Sequence, residues 1–144
     1  MKRGLTFIEI LMVLFIMSIL LIMVSPTLTS HQMESVQSRL FLNQLMNEIN
    51  YAKDLAVTEN RNVCLEFDVD NQRIFYLRDA SEGEYELIYL PDGLQLISDF
   101  HFCYFPDGSI NSFRTVYFQQ LTTQKKYALV FQLGSGKFYL KGES

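Results

Sequence analysis

The sequence is poor in the residues that usually carry chemistry. Two cysteines, Cys64 and Cys103, are too few for a disulfide-framework miniprotein, and they lie 39 positions apart rather than in the close pairs that structural zinc sites use. There is no Gly-rich phosphate loop, no HExxH helix and no Ser/His/Asp set, so nothing in the residues argues for an enzyme or a cofactor. Positive charge is also scarce: a formal net charge of −4 disfavours a generally cationic nucleic-acid binder. Long apolar runs are missing everywhere except at the start. There, residues 5–24 carry one charge, Glu9, among Leu, Ile, Met, Val and Phe.

What is present is unevenly spread. A chain of 144 residues suits one modest core once an apolar segment is set aside. Six acids and no base lie between Asp79 and Asp99 (Asp79, Glu82, Glu84, Glu86, Asp92, Asp99). From Phe100 onward the balance reverses, with Arg114, Lys125, Lys126, Lys137 and Lys141 against Asp107 and Glu143.

The first thirty residues admit three readings. A cleaved secretory signal would explain Lys2 and Arg3, but no Ala-x-Ala site follows. A plain membrane anchor fits the length, since twenty residues of helix span about 30 Å, and Lys2 and Arg3 would hold that end in the cytoplasm. Neither reading accounts for Glu9. A carboxylate inside a membrane helix costs roughly 2.5–3.5 kcal/mol, and such acids usually have a partner and a role.

The string Gly4-Leu5-Thr6-Phe7-Ile8-Glu9, after a short basic leader and before Pro26, resembles the signal of type IV prepilins. The resemblance implies cleavage between Gly4 and Leu5 by a prepilin peptidase and N-methylation of Leu5, which stands where most members have Phe. It also implies a helix bend at Pro26 and pairing of Glu9 with the new amino terminus of a neighbouring subunit. In a low-dielectric filament core such a pair is strong, and either charge left alone is costly. The implied localisation is single-pass in the cell membrane with the C-terminal part outside, and in a surface filament after assembly.

Beyond Pro26 the pattern stays helical. Met33, Val36, Leu40, Leu45, Ile49, Ala52 and Ala56 form what reads as one apolar, core-facing stripe. Thr29 or Ser30 offers a cap for a restart, but a continuous bent helix over Leu5–Thr58, about 80 Å long, is expected. After the polar break Thr58–Asn62 the period becomes two. Val63–Val69, Arg73–Leu77, Tyr85–Leu90, Leu94–Ile97, Phe100–Phe105, Thr115–Leu121, Tyr127–Gln132 and Lys137–Leu140 are predicted strands, separated by Asp70-Asn71-Gln72, Pro91-Asp92-Gly93, Pro106-Asp107-Gly108 and Gly134-Ser135-Gly136. The expected fold is α+β, a long N-terminal membrane and filament helix packed on a C-terminal antiparallel sheet. Its expected parts are a leader (1–4), a transmembrane or filament-core helix (5–25), an amphipathic helix (26–58) and a β-rich globular domain (59–144).

This half is similar to the GspH/FimT class of pseudopilins and minor pilins. The similarity rests on Leu45–Phe67, on Phe105-Pro106-Asp107-Gly108-Ser109 and on Leu133-Gly134-Ser135-Gly136-Lys137; in size and leader the chain looks like competence minor pilins of the ComGD type from Gram-positive bacteria. What this implies is a subunit of a competence filament needed for DNA uptake. Its partners would be other major and minor pilins, a prepilin peptidase, an assembly platform with its ATPase, and the membrane, with DNA met indirectly through the pilus. An H-type pseudopilin of type II secretion and a non-polymerising anchored domain stay open as alternatives.

Three residue sets carry less weight. Cys64 and Cys103 fall in predicted strands, where a disulfide and two buried free thiols are both open. Adding His101 and His31 to them does not give zinc-site spacing, so no metal is expected. Arg114, Lys125, Lys126, Lys137 and Lys141 alternate with Tyr127, Phe138 and Tyr139 and are weak candidates for DNA contact. DNA-binding members of the class carry an arginine-rich C-terminal motif that the closing Leu140-Lys141-Gly142-Glu143-Ser144 lacks, and a lysine-protected sheet edge explains the same residues.

Overall fold

A computed structural model describes residues 7–24, 30–79, 83–132 and 134–143. Two helices, α1 (Phe7–Val24) and α2 (Ser30–Thr58), precede eight strands: β1 (Val63–Asp68), β2 (Arg73–Asp79), β3 (Glu84–Tyr89), β4 (Leu94–Leu96), β5 (Phe100–Tyr104), β6 (Thr115–Gln120), β7 (Lys126–Phe131) and β8 (Phe138–Glu143). Each strand lies where the period-two pattern put one. The strands form two antiparallel sheets rather than one, ordered β3-β2-β1-β5 and β4-β6-β7-β8. The long-range step is β5, which returns to pair with β1 after β4 has opened the second sheet.

Local chemistry sets the ends of these elements. Helix α2 stops because Asn60 takes a left-handed φ of 50°, while the Arg61 N–H reaches the Ala56 carbonyl at 3.2 Å and closes the last turn. The β1–β2 turn is held by the Asp68 carboxylate, which accepts hydrogen bonds from the Asn71 side-chain amide and backbone N–H at 2.7 and 3.1 Å. Those bonds, with Arg73 nearby, hold the Asp68 carboxyl below the usual aspartate range.

One core joins α2 to both sheets. Leu42, Leu45, Ile49, Ala52 and Ala56 of α2 are buried against Val63, Leu65, Phe67, Ile74 and Tyr76 of the first sheet and Phe118, Leu129 and Phe131 of the second. Phe131 ties the two sheets, with its ring 6.2, 5.4 and 4.7 Å from those of Phe67, Phe100 and Phe102. At about 1.5–3 kcal/mol for each fully buried large side chain, this cluster is the main source of stability.

The expected single stripe on α2 needs correction. Leu45, Ile49, Ala52 and Ala56 are buried, but Met33, Val36 and Leu40 are 55%, 52% and 64% exposed. The step from Leu40 to Leu45 is five residues, and at about 100° per residue that carries the chain roughly 140° round the helix. The pattern therefore holds two faces. The second half packs on the sheets, and the first half presents apolar side chains to solvent on a different side.

Candidate functional site

The residues of α1 are almost wholly apolar and exposed: Phe7, Ile8, Met12, Phe15, Leu21 and Ile22 are each more than half open to solvent. Glu9 is the acid in its first turn. Ser18, the other polar side chain here, donates to the Leu14 carbonyl at 2.8 Å and so satisfies itself within the helix. Eighteen residues make about 27 Å of helix, and among the described residues no helix is long and apolar enough to cross a membrane. Gly4, Leu5 and Pro26, to which processing, methylation and bending were assigned, lie outside the described residues. An exposed greasy helix with one carboxylate, followed by the exposed Met33–Val36–Leu40 stripe, is a surface suited to burial against other helices.

Cys64 and Cys103 sit directly opposite each other in the β1–β5 register, 3.9 Å apart at Cα, and are joined as a disulfide. Glu66 and His101 form the next cross-strand pair on the same face of the sheet. The side-chain ligand atoms of Cys64, His101 and Cys103 all lie within 4.8 Å of one another. With both sulfurs bonded to each other this group offers no thiolate to a metal. His31 lies on α2, and its side chain is outside the described set.

Two of the three segments that carried the class resemblance, the Phe105–Ser109 and Gly134–Lys137 turns, meet in space. In the Phe105–Ser109 turn the Asp107 carboxylate accepts from both the Ser109 N–H and the Ser109 hydroxyl, which holds the Asp107 carboxyl below its ordinary range. Gly108 has φ +76° and lies under Lys53 and Val57 of α2. Gly136, at φ +59°, approaches so closely that a β-carbon there would fall 2.1 Å from the Gly108 carbonyl oxygen. Tyr104 donates to the Gly136 carbonyl at 3.4 Å, and Lys53 donates to that of Ser135 at the same distance. The glycines are therefore a locking contact between two turns beneath the end of α2.

The basic candidates separate into two groups. Lys125, Lys126 and Lys141 gather at one end of β7, where Lys141 stands opposite Ala128. Arg114 and Lys137 flank its other end, where Arg114 and Phe131 share a backbone hydrogen bond, as do Lys137 and Gln132. Five residues of strand put the groups about 17 Å apart. Arg114 also donates to the Asp99 carbonyl at 2.9 Å. Lys141 and Gly142 belong to β8, which runs to Glu143.

One polar contact at the helix–sheet seam was not foreseen. Tyr76 donates to the Glu48 carboxylate at 3.1 Å, and its burial, with that carboxylate beside it, pushes the phenol well above its ordinary range. No periodicity or motif signals such a pair before the packing of α2 on β2 is known.

No family model matches the chain, and no curated protein matches it. Among solved structures it is similar to the minor pseudopilin EpsH from the type 2 secretion system of Vibrio cholerae. The TM-score is 0.58 at 12% identity, over 74% of this chain and 97% of that one. The fold is that of a minor pseudopilin. In the pseudopilin fold seen here a helix packs on antiparallel sheets by its second half, which leaves the apolar side chains of α1 and Met33, Val36 and Leu40 of early α2 open to solvent, while Glu34 of the same turns accepts a hydrogen bond from the Thr122 hydroxyl.

Proposed function

We propose that this chain is a minor pilin of a competence type IV pilus-like filament, processed at Gly4, inserted in the cell membrane and required for DNA uptake. The observation that carries the reading is the exposed apolar surface of α1, whose one acid is Glu9, together with the exposed Met33, Val36 and Leu40 of early α2, on a pseudopilin-like domain. A soluble monomer gains nothing from such a surface, whereas a filament buries it. Glu9 then supplies the register: its carboxylate meets the amino terminus released by cleavage before Leu5, and Pro26 bends the helix between core and domain. The domain works as a packing and presentation module, and no side chain is assigned a chemical step.

The test is uptake of labelled DNA by cells lacking the gene, complemented with wild type or with Gly4→Val. Loss of uptake restored only by the cleavable form is the expected result. Normal uptake in the deletion strain would reject the competence assignment. The likeness to EpsH favours a second reading, a type II secretion pseudopilin of the H type. In that case the same deletion leaves uptake intact and blocks release of a secreted protein.

A further inference from the structure

A pocket of about 320 Å³ opens between α2 and the β7–β8 edge, lined by Arg39, Asn43, Lys125, Tyr127, Leu140 and Gly142. Its two cations come from elements far apart in sequence, one from the third turn of α2 and one from the turn before β7. Among the described residues neither Arg39 nor Lys125 has an ion-pair partner. The Lys125 ammonium lies 6.0 Å from the centre of the Tyr127 ring. Tyr127 forms the floor: it is 3% exposed, and its hydroxyl, closed to solvent, has no hydrogen-bond partner among the described residues.

Gly142 is the wall residue directly opposite Tyr127 in the β7–β8 register. A β-carbon there would meet nothing within 4 Å, and its φ is not left-handed. The backbone therefore does not require glycine at this place, and what the missing side chain provides is room beside the phenol.

We propose that this pocket binds a phosphate group. The lining offers a guanidinium fork, an ammonium and an amide NH₂, and among the described residues it contains no carboxylate. Two positive charges and this many donors exceed what the two oxygens of a carboxylate use, whereas a phosphate has up to four oxygens and up to two charges. A phosphodiester of a nucleic-acid strand and a free phosphate share this chemistry. The site goes beyond the filament reading and does not depend on it.

The experiment uses the full chain in a maltoside detergent, which contains no phosphate, at low salt. Inorganic phosphate is titrated and followed by phosphorus NMR line broadening, and a short oligothymidylate is then added as competitor. Saturable broadening by wild type is expected, with binding about tenfold weaker for Arg39→Gln, the loss of one charge-assisted hydrogen bond. Gly142→Val, which fills the opening without changing charge, weakens binding comparably. Lys137→Gln removes the same charge at the far end of β7 and binds as wild type does, and the circular dichroism melt of each variant reports its fold. Displacement of phosphate by the oligonucleotide identifies a nucleic-acid backbone as the source. Saturable phosphate binding without displacement keeps the phosphate site and assigns it to a small phosphate. Absence of saturable broadening, or equal weakening by Lys137→Gln and Arg39→Gln, overturns the proposal.

Discussion

Replacing Gly136 with alanine isolates the contact that joins the two signature turns. The residue has φ +59°, where an L side chain costs about 1–2 kcal/mol from backbone sterics alone. Its β-carbon would also lie 2.1 Å from the Gly108 carbonyl oxygen and 3.1 Å from the Tyr104 ring. The first neighbour is backbone and cannot swing aside, so the turn must shift, adding about 1–3 kcal/mol. Gly134→Ala is the matched control: its φ is +81°, but nothing lies within 4 Å of the added carbon. At about 4 °C per kcal/mol for a domain near a hundred residues, Gly134→Ala should lower Tm by about 4–8 °C. Gly136→Ala should lower it by about 8–20 °C. The assay is thermal unfolding of the full chain in detergent, followed by circular dichroism. Equal shifts for the two variants would refute the claim that the turns are locked through that carbonyl.

Two other expectations rest on separate features. The Cys64–Cys103 bond closes a separation of 39 residues, so its chain-entropy contribution is about 4 kcal/mol. Reduction, or the double replacement by alanine, should shift urea unfolding by about that much, and an unchanged midpoint with reductant would show that the bond adds nothing. Leu40→Asp alters a side chain that is 64% exposed, so domain stability should move by no more than about 0.5 kcal/mol. Recovery of the Leu40→Asp chain in sheared filaments should fall sharply, and full recovery would remove the α2 stripe from the assembly surface.

The elements were legible because their periods are clean. Val63–Asp68 alternates buried and outward residues along its length, and eight strands can be marked off by their turn residues. Assembly of those strands into two sheets was not legible, because the β1–β5 pairing is a long-range choice of registers that local pattern leaves open. The same register decides the disulfide, since it sets Cys64 against Cys103. The two faces of α2 are hidden in the pattern because nearly all its apolar steps are three or four residues, and the single step of five from Leu40 to Leu45 changes face. Motif residues showed the turns but not their contact, which depends on two glycine backbones that meet only after folding. Arg39 carried no signal at all: one arginine among the polar positions of a helix becomes part of a pocket only through its place beside β7 and β8.

The most direct test of the account is recovery of the chain in sheared filaments from cells expressing wild type, Gly4→Val or Glu9→Val at equal membrane levels. Wild type should appear in the filament fraction with a mass shortened by the leader. Gly4→Val should remain in the membrane at full precursor mass, and Glu9→Val should be cut but largely left out of filaments. Recovery of Glu9→Val equal to wild type would contradict the charge-pair mechanism, and wild type found only in the membrane at full precursor mass would contradict the pilin account itself.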